Sequence, residues 1–305
     1  MKKIRIEIRP EEEGSRIDVV IAGQLPELSR SYIQRIIKGG GLTAGGEVKK
    51  ANFRPAVGDE VELIIPDDQT PDILPEPIPL DILYEDADLL IVNKPKQMVV
   101  HPSAGHFEHT LVNALMAHCG DELSGINGVL RPGIVHRIDQ DTTGALVVCK
   151  NDRAHRALAE QLAHHSITRR YRAILIGTLK EEERTVSGNI GRSPRDRKKM
   201  AVVEDGGKPA VTHIRLLKNL AKGYAYVECS LETGRTHQIR VHSSYIHHPV
   251  LGDTVYGPAR QPVRGLTGQT LHAMTLGFIH PTTGQYVEFQ APLPDYFTKL
   301  LQTLD

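Results

Sequence analysis

Tryptophan is absent from this chain of 305 residues, and aromatic residues make up 5% of it. So few flat side chains exclude a surface built to stack many nucleic-acid bases in a row. Basic and acidic side chains balance, with 37 of each and a formal net charge of zero. This balance argues against a protein that holds a polyanion by its overall charge, although separate basic patches are compatible with it.

Cysteine is scarce as well, with three residues that are widely separated in apolar surroundings. Their spacing excludes a disulfide framework and a cysteine-rich zinc site, and it predicts reduced core residues. Histidine is abundant at fifteen, and three of these residues lie close together in sequence, His101, His106 and His109. Because no His-Glu-x-x-His helix and no cysteine partner accompany them, no metal site is predicted.

No apolar run is long enough to span a membrane. The first eight residues alternate charge with isoleucine, where a signal peptide has an unbroken apolar centre, so they predict a first strand in a cytoplasmic protein. The length suggests two domains, and a hydrophobic content of 40% is enough for a core in at least the larger one.

The most informative stretch is a polar turn that leads into an apolar run. The run Ala145-Leu-Val-Val-Cys149 is β-branched and short, which predicts a buried strand. Loops held by buried strands often carry reactive groups, and Asp139 is the candidate here. Arg137 can neutralise a carboxylate and keep it ionised, and an ionised carboxylate fixed in a loop is a candidate nucleophile. The alternative is that Asp139 is a solvated turn acid or a cap.

A small N-terminal domain is predicted for residues 1–70. Leu28–Lys38 has the pattern of an amphipathic helix with a basic face, made of Arg30, Arg35 and Lys38. An alternating strand is predicted for Val57–Ile65. Five prolines with acids between them follow in residues 66–79, and they predict a stiff linker, placed at residues 71–80.

The larger domain, residues 81–305, is predicted to be α+β, with a mixed, largely antiparallel sheet. Helices are expected at Thr110–His118 and Arg153–His164. Strands are expected at Tyr171–Gly177, Val211–Leu217, Ala225–Leu231 and Tyr286–Gln290. Alternation around Arg240 predicts another strand.

Three segments carry a resemblance to a known family. His136-Arg-Ile-Asp139, continued by Asp141-Thr-Thr-Gly144, is similar to the catalytic motif of the RluA-type pseudouridine synthases. Arg169–Ala173 and Leu231–His242 resemble the next two motifs of that family, in the same order. Asn93-Lys-Pro95 and Pro249–Asp253 are also similar to the family, and the small domain resembles the alpha-L RNA-binding domain of ribosomal protein S4.

The resemblance implies that uridine in RNA is converted to pseudouridine, without a cofactor. The N-glycosidic bond breaks, the uracil turns, and C5 is joined to C1′. Asp139 is implied to be the catalytic carboxylate, and whether it attacks C1′ or removes a sugar proton stays open. The target base must leave its stack, and Arg137 is suited to filling the hole. The alternative for Arg137 is an ion pair with Asp139 alone.

Three further site residues follow from the resemblance. Tyr171 offers a ring for the flipped uracil and a hydroxyl for the C5 proton, or else it is a core tyrosine. Arg240 is implied to lie against Asp139, and an arginine in a half-buried strand needs such a partner. Ile239 corresponds to an apolar residue near the base, which is hard to combine with Arg240 on one strand. Arg235 and His237 are expected to be structural or phosphate contacts.

Structured RNA is the expected partner, with large-subunit ribosomal RNA foremost, and the protein is expected to be a monomer that binds no membrane and no metal. RNA contacts are predicted from the basic helix and from a basic loop at residues 192–200, which contains Arg195, Lys198 and Lys199. A pseudouridine synthase acting on transfer RNA is an alternative. Two further alternatives are a ribosome-assembly factor without catalysis and a metal-dependent hydrolase that uses the histidines.

Overall fold

The computed structural model describes residues 2–25, 28, 30–65, 73–102, 107–126, 131–196 and 199–305. The chain divides into two compact units, Met1–Asp72 and Ile73–Asp305. Residues 66–72, at the start of the proline-rich stretch, lie outside the described residues. From Ile73 onward this stretch packs on the larger unit, where Asn113 Nδ2 donates to the carbonyl of Leu74 at 2.9 Å. The second part of the predicted linker therefore belongs to the larger unit.

The small unit is a four-stranded sheet covered by two helices. Its elements are β1 (Lys2–Ile6), a 3-10 helix (Pro10–Glu12), α1 (Ile17–Gln24), α2 (Arg30–Lys38), β2 (Leu42–Ala44), β3 (Glu47–Val48) and β4 (Val61–Ile65). The strands lie in the order β1-β4-β2-β3. The isoleucines of α2 are buried as the amphipathic pattern predicts, while Lys38 is exposed. The predicted strand at Val57–Ile65 begins four residues late, because a turn at Gly58 precedes it.

A buried carboxylate joins the two helices of the small unit. Asp18 is fully buried and accepts hydrogen bonds from Arg16 Nε at 3.0 Å, Arg30 Nη2 at 2.9 Å and Gln34 Nε2 at 2.5 Å. Burial alone would raise the pKa of Asp18, but these donors outweigh it and hold that pKa well below its usual range. Arg30, which was predicted to contact RNA, thus pairs with Asp18 and ties α2 to α1.

We expect the small unit to lose stability as the pH falls below about 4. The pKa of Asp18 is lower in the folded state than in the unfolded state, so its contribution is complete above the unfolded value and is lost on acidification. Asp18→Asn should cost about 2 kcal/mol at neutral pH, because it removes charge-assisted hydrogen bonds. Backbone hydrogen exchange of the full chain, compared between α1 and α2 and the larger unit, measures both effects. Equal exchange in α1 and α2 of the two proteins would contradict this role.

The larger unit is built on a ten-stranded sheet. Its strands are β5 (Ile82–Glu85), β6 (Leu89–Lys94), β7 (Thr143–Cys149), β8 (Thr168–Ile176), β9 (Glu183–Arg192), β10 (Met200–Val203), β11 (Lys208–Leu220), β12 (Tyr224–Leu231), β13 (Leu271–Ile279) and β14 (Tyr286–Gln290). Its helices are α3 (Leu111–Cys119), α4 (Asp152–Ala163), α5 (Gln238–Tyr245) and α6 (Asp295–Leu304), with a 3-10 helix at Gly120–Glu122.

The strand order is β10-β9-β11-β12-β8-β13-β7-β6-β5, and β14 pairs with β13. The pair β13 and β7 is parallel, and the other neighbours in the described part of the sheet are antiparallel. The prediction of an α+β fold on a mixed, largely antiparallel sheet is confirmed. The helices predicted at Thr110–His118 and Arg153–His164 are α3 and α4, and the cysteines are buried as predicted.

One row of residues crosses the middle of this sheet. Lys94 of β6 pairs with Gly144 of β7, Gly144 with Ala273 of β13, and Ala273 with Tyr171 of β8. Gly144 has φ +110°, and a Cβ there would lie 2.3 Å from the carbonyl oxygen of Ala273, so only glycine fits this close approach. The row places Tyr171 beside the start of β7, where the turn with Asp139 ends. No helix in the described ranges is long and apolar enough to cross a membrane.

Candidate active site

A cleft lies where the turn before β7 meets β8 and α5. Asp139 and Arg137 reach it from the turn, Tyr171 from β8, and Ile239 and Arg240 from the first turn of α5. The structure therefore brings together all five residues that the sequence predicts for catalysis and substrate binding. They come from positions as far apart as 137 and 240.

Arg240 links two carboxylates. Its Nη1 donates to Asp139 Oδ2 at 2.8 Å, while Nε and Nη2 donate to the two oxygens of Asp253 at 2.7 and 3.1 Å. Asp253 is fully buried and also accepts the backbone N–H of Tyr256 at 2.9 Å. Burial would lower the pKa of Arg240, but the two carboxylates raise it above its ordinary value. The guanidinium is therefore charged and fixed by Asp253, and it holds one oxygen of Asp139.

The second oxygen of Asp139 remains open to the cleft. Its Oδ1 accepts no hydrogen bond from the described residues, and the side chain is 19% exposed. A carboxylate with one oxygen anchored and the other facing a cleft is suited to act as a nucleophile or as a base.

The segment that carries Arg240 is a helix, so the strand predicted there is wrong. Residues 238–245 form α5, and Ile239 and Arg240 are both buried in the cleft wall. Successive side chains on a helix lie about 100° apart, whereas on a strand they point to opposite faces. The helix therefore removes the difficulty of having Ile239 and Arg240 at one site.

Tyr171 lies inside the sheet, with Cys229 of β12 on one side and Ala273 of β13 on the other. It is 8% exposed. Burial raises the pKa of its hydroxyl, with the charge of Arg169 acting in the opposite direction and that of Asp139 adding to the rise. Tyr171 lines the cleft, and its hydroxyl is thus protonated at neutral pH.

Arg137 is exposed at the edge of the cleft. Asp139 pairs with Arg240 instead, and no carboxylate of the described residues forms an ion pair with Arg137. A long cation that has no carboxylate partner among the described residues and lies beside Asp139 is available for RNA. This favours insertion of Arg137 into the RNA stack over an ion pair with Asp139.

Hydrogen bonds of His136 and Lys94 fix the turn that carries Asp139 to the neighbouring strands. His136 Nε2 accepts the backbone N–H of Val147 at 3.1 Å, and burial together with the charge of Arg169 lowers the pKa of His136 to about 3, so the ring is a neutral acceptor. Lys94 is fully buried and donates to the carbonyl of Gln140 at 2.9 Å.

The remaining protons of Lys94 are also used. Its Nζ donates to the carbonyls of Pro95 at 2.8 Å and Met98 at 2.9 Å. Burial lowers the pKa of Lys94 to about 7, while the charges of Asp141 and Asp139 oppose that effect. An ammonium group has three protons, which matches the three carbonyl oxygens. Lys94 thus ties β6 to the residue that follows Asp139.

Sequence reasoning assigned no role to Asp253 or Lys94, although both lie in segments that match the family. Pro249–Asp253 and Asn93-Lys-Pro95 resemble the family, but the resemblance alone implies no function for either residue. A charged residue within an apolar strand, as Lys94 is after Leu89-Leu-Ile-Val92, is a signal that could have found it, because buried charge needs a partner.

Of the predicted RNA contacts outside the cleft, Arg195 is exposed and Lys199 is half-buried. They lie in a turn closed by hydrogen bonds between Ser193 and Lys199 at 2.9 Å and between Lys199 and Asp196 at 2.9 Å. Lys198 lies outside the described residues, as does the side chain of Arg35.

One group of possible metal ligands occurs among the described residues, away from the cleft. Ligand atoms of Asp86, Asp88 and His280 lie within 4.8 Å of one another. His280 Nε2 already lies 2.8 Å from Asp86, and Asp88 accepts from Arg153 at 3.0 Å. A cation there would compete with these existing contacts of Asp86 and Asp88. His109, one of the three histidines first considered as ligands, pairs with Glu76, and His106 is outside the described part of the chain.

A mixed sheet with an arginine-anchored acid in its cleft is an arrangement suited to an enzyme that uses a carboxylate. The RNA pseudouridylate synthase family matches residues 88–245, and the S4 domain matches residues 15–61. An uncharacterized RNA pseudouridine synthase of Bacillus subtilis, YlyB, is 49% identical over 304 residues, which is 100% of this chain and 99% of the relative. Ribosomal large subunit pseudouridine synthase D of Zymomonas mobilis is 47% identical, covering 95% of this chain and 94% of the relative.

Solved structures agree with this result. Human RNA Pseudouridylate Synthase Domain Containing 1 aligns with a TM-score of 0.58 and 28% identity, covering 74% of this chain and 94% of that protein. The chain belongs to the RNA pseudouridylate synthase family and carries an S4 domain at its N-terminus.

Proposed function

We propose that this enzyme isomerises uridine in large-subunit ribosomal RNA, with Asp139 as the catalytic carboxylate. The observation that carries the proposal is the anchoring of Asp139 Oδ2 by Arg240, which leaves Oδ1 facing the cleft. Relatives named ribosomal large subunit pseudouridine synthase D, 47% and 42% identical to this chain, support the choice of RNA. Action on ribosomal RNA implies a cytoplasmic enzyme, and a cleft formed within one chain supports a monomer.

The reaction breaks the bond between C1′ and N1 and forms one between C1′ and C5. The C5 proton leaves, N1 gains a proton, and no electrons are exchanged with a cofactor. Asp139 Oδ1 either bonds to C1′ or removes a sugar proton, and Arg240 keeps the carboxylate charged and oriented in both cases. Tyr171 lies beside the uracil and relays the C5 proton. Ile239 packs against the base and helps to exclude water.

Arg137 takes the place of the flipped uridine in the RNA stack. Its guanidinium is planar and, among the described residues, has no carboxylate partner, so it can stack on the neighbouring bases. Arg195 and Lys199 lie in the turn that follows β9 and contact the phosphate backbone, and Lys198, basic by sequence, is assigned the same role. Lys38 serves the small domain in the same way.

Isomerisation is tested by tritium release from RNA labelled at C5 of uridine. We expect release from transcripts of large-subunit ribosomal RNA, with pseudouridine mapped at specific positions. Release from transfer RNA alone would overturn the choice of substrate. Binding without any release would favour the assembly factor, and loss of release in excess EDTA would favour the metal-dependent hydrolase.

We infer that residues 1–72 form a separate RNA-binding domain, since this unit has its own core and matches the S4 domain over most of its length. Deleting it should weaken binding to folded ribosomal RNA by about 100-fold, because two linked contacts are reduced to one. Isomerisation of a short hairpin that contacts the cleft alone should be unchanged. Affinities at matched salt measure the effect, and equal affinity of the two proteins would contradict it.

A further inference from the structure

His237 lies in the cleft beside Asp139 and has no role in the reaction as described. Its Nδ1 is 2.8 Å from the hydroxyl oxygen of Tyr256, and its Nε2 is 3.8 Å from Asp139 Oδ1. The side chain is 24% exposed. The backbone has φ +57°, a left-handed conformation that few residues other than glycine adopt, at the residue preceding α5. His237 is among the residues that line the cleft.

The hydrogen bonds of Tyr256 determine which nitrogen of His237 carries the proton. The Tyr256 hydroxyl oxygen accepts the backbone N–H of Met200 at 3.0 Å. Within the described ranges the acceptor within reach of the Tyr256 proton is His237 Nδ1, and we assign the hydroxyl proton to this hydrogen bond. A neutral imidazole has a single N–H, which must then be at Nε2.

The charge of the ring follows from its surroundings. Burial lowers the pKa of His237, the charges of Arg240 and Arg137 lower it further, and those of Asp139 and Asp253 oppose them. A neutral ring therefore presents Nε2–H to the side of the cleft where Asp139 Oδ1 lies. The separation of 3.8 Å is too long for a direct hydrogen bond, so the donor is free for a ligand.

We propose that His237 is a second catalytic residue, whose Nε2–H donates a hydrogen bond to an oxygen of the nucleotide next to the reacting carbon. This inference rests on the proposed function. When C1′ is within reach of Asp139 Oδ1, three oxygens near C1′ come close to Nε2: the ring oxygen O4′, the ribose 2′-oxygen and uracil O2. The ring oxygen gains positive charge as the glycosidic bond breaks and is a poor acceptor, so the 2′-oxygen and O2 are the candidates. A bond to the 2′-oxygen orients the sugar. A bond to O2 stabilises the negative charge that develops on uracil as the glycosidic bond breaks.

Tyr256 is a positioning residue for this donor. Its hydroxyl fixes the tautomer of His237, and its ring lies 5.1 Å from the guanidinium carbon of Arg240. Met200, which donates to the same hydroxyl, is the last residue of the basic loop and the first residue of β10. Two hydrogen bonds that meet at the Tyr256 hydroxyl thus join the loop proposed to contact phosphates to the proposed donor.

The tautomer is tested without any substrate. In protein labelled with ¹⁵N-histidine, a long-range ¹H–¹⁵N spectrum distinguishes protonated from unprotonated ring nitrogens, and His237→Asn identifies the signals of His237. We expect Nε2 protonated in the wild type and a mixture of tautomers in Tyr256→Phe, which keeps the ring and loses the hydroxyl. A wild-type ring protonated at Nδ1 would overturn the proposal, whatever the enzyme's substrate is.

The donor is tested with two variants of His237. Asparagine tolerates the left-handed backbone but is too short to reach, so His237→Asn should lower the single-turnover rate by about 100-fold. The amide nitrogen of glutamine can take the place of Nε2, so His237→Gln should restore part of the rate. Equal rates for the wild type and His237→Asn would overturn the proposal.

Chemically altered RNA identifies the acceptor. The rates of the wild type and His237→Asn are compared on one RNA with uridine, 2′-deoxyuridine or 2-thiouridine at the target position. The loss caused by His237→Asn should shrink for the RNA that lacks the true acceptor. The same loss on all three RNAs would overturn the proposal. Failure of the wild type on unmodified RNA would instead refute the proposed function.

Discussion

Asp139→Asn is expected to abolish isomerisation, lowering the single-turnover rate by roughly ten-thousand-fold or more. The amide has the shape of the carboxylate and can still accept from Arg240 Nη1, so the cleft should keep its structure. An amide can neither bond to C1′ nor take a sugar proton at a useful rate. The measurement is pseudouridine formed in a single turnover on ribosomal RNA, with RNA affinity determined in parallel.

The matched control is Asp141→Asn in the same turn. The side chain of Asp141 packs against Gly268 and does not line the cleft, so this variant should retain most of the rate. Loss of RNA affinity in Asp139→Asn would show that the acid serves binding. Equal losses in the two variants would show that the turn has been disturbed as a whole.

Arg240→Met is expected to have the second-largest effect, on stability and activity together. Arg240 is 5% exposed between Asp139 and the fully buried Asp253. Removing the guanidinium leaves a buried carboxylate without its cation, which should destabilise the larger unit by about 3 to 5 kcal/mol. The rate should fall by about 100-fold to 1,000-fold in the protein that remains folded, because Asp139 loses its anchor.

Urea unfolding and single-turnover rates below the midpoint separate these two effects. Arg240→Lys is the control, because it keeps the charge and loses the paired contact with Asp253. It should regain part of the stability and less of the rate. If Arg240→Met is as stable and as active as the wild type, the arrangement of Asp139, Arg240 and Asp253 is not what orients the catalytic acid.

Much of this site could be predicted from local sequence because its residues lie in short segments with a distinctive pattern. Asp139 and Arg137 share one polar turn before a buried strand, and the apolar run that follows predicts β7 from β-branched composition alone. The partnership of Asp139 with Arg240 spans about one hundred residues, and only the resemblance to the family suggested it.

The secondary structure around Arg240 could not be predicted, for a physical reason. Gln238-Ile-Arg-Val-His242 alternates polar and apolar residues, and over five residues such a pattern fits a strand as well as one turn and a half of helix. His237, the residue before α5, has a left-handed backbone conformation that no local sequence pattern predicts.

Two long strands, β9 and β13, are not predicted by the sequence pattern, for different reasons. β9 contains two glycines and little alternation, and its pairing with β10 and β11 is what makes it a strand. β13 is buried at nearly every position, so it lacks the alternation that marks a strand with one exposed face. Both strands therefore form because they pair with segments that are distant in sequence.

Lys94 gives the catalytic turn a property that substrate contacts alone cannot supply. Because it holds the carbonyl of Gln140 from inside the sheet, the backbone beside Asp139 is already ordered before any RNA arrives. The geometry needed for the reaction therefore forms when the larger unit folds. On heating, enzymatic activity and native structure should be lost over the same temperature range. A survey of residues by their distance from the nucleotide would overlook this lysine.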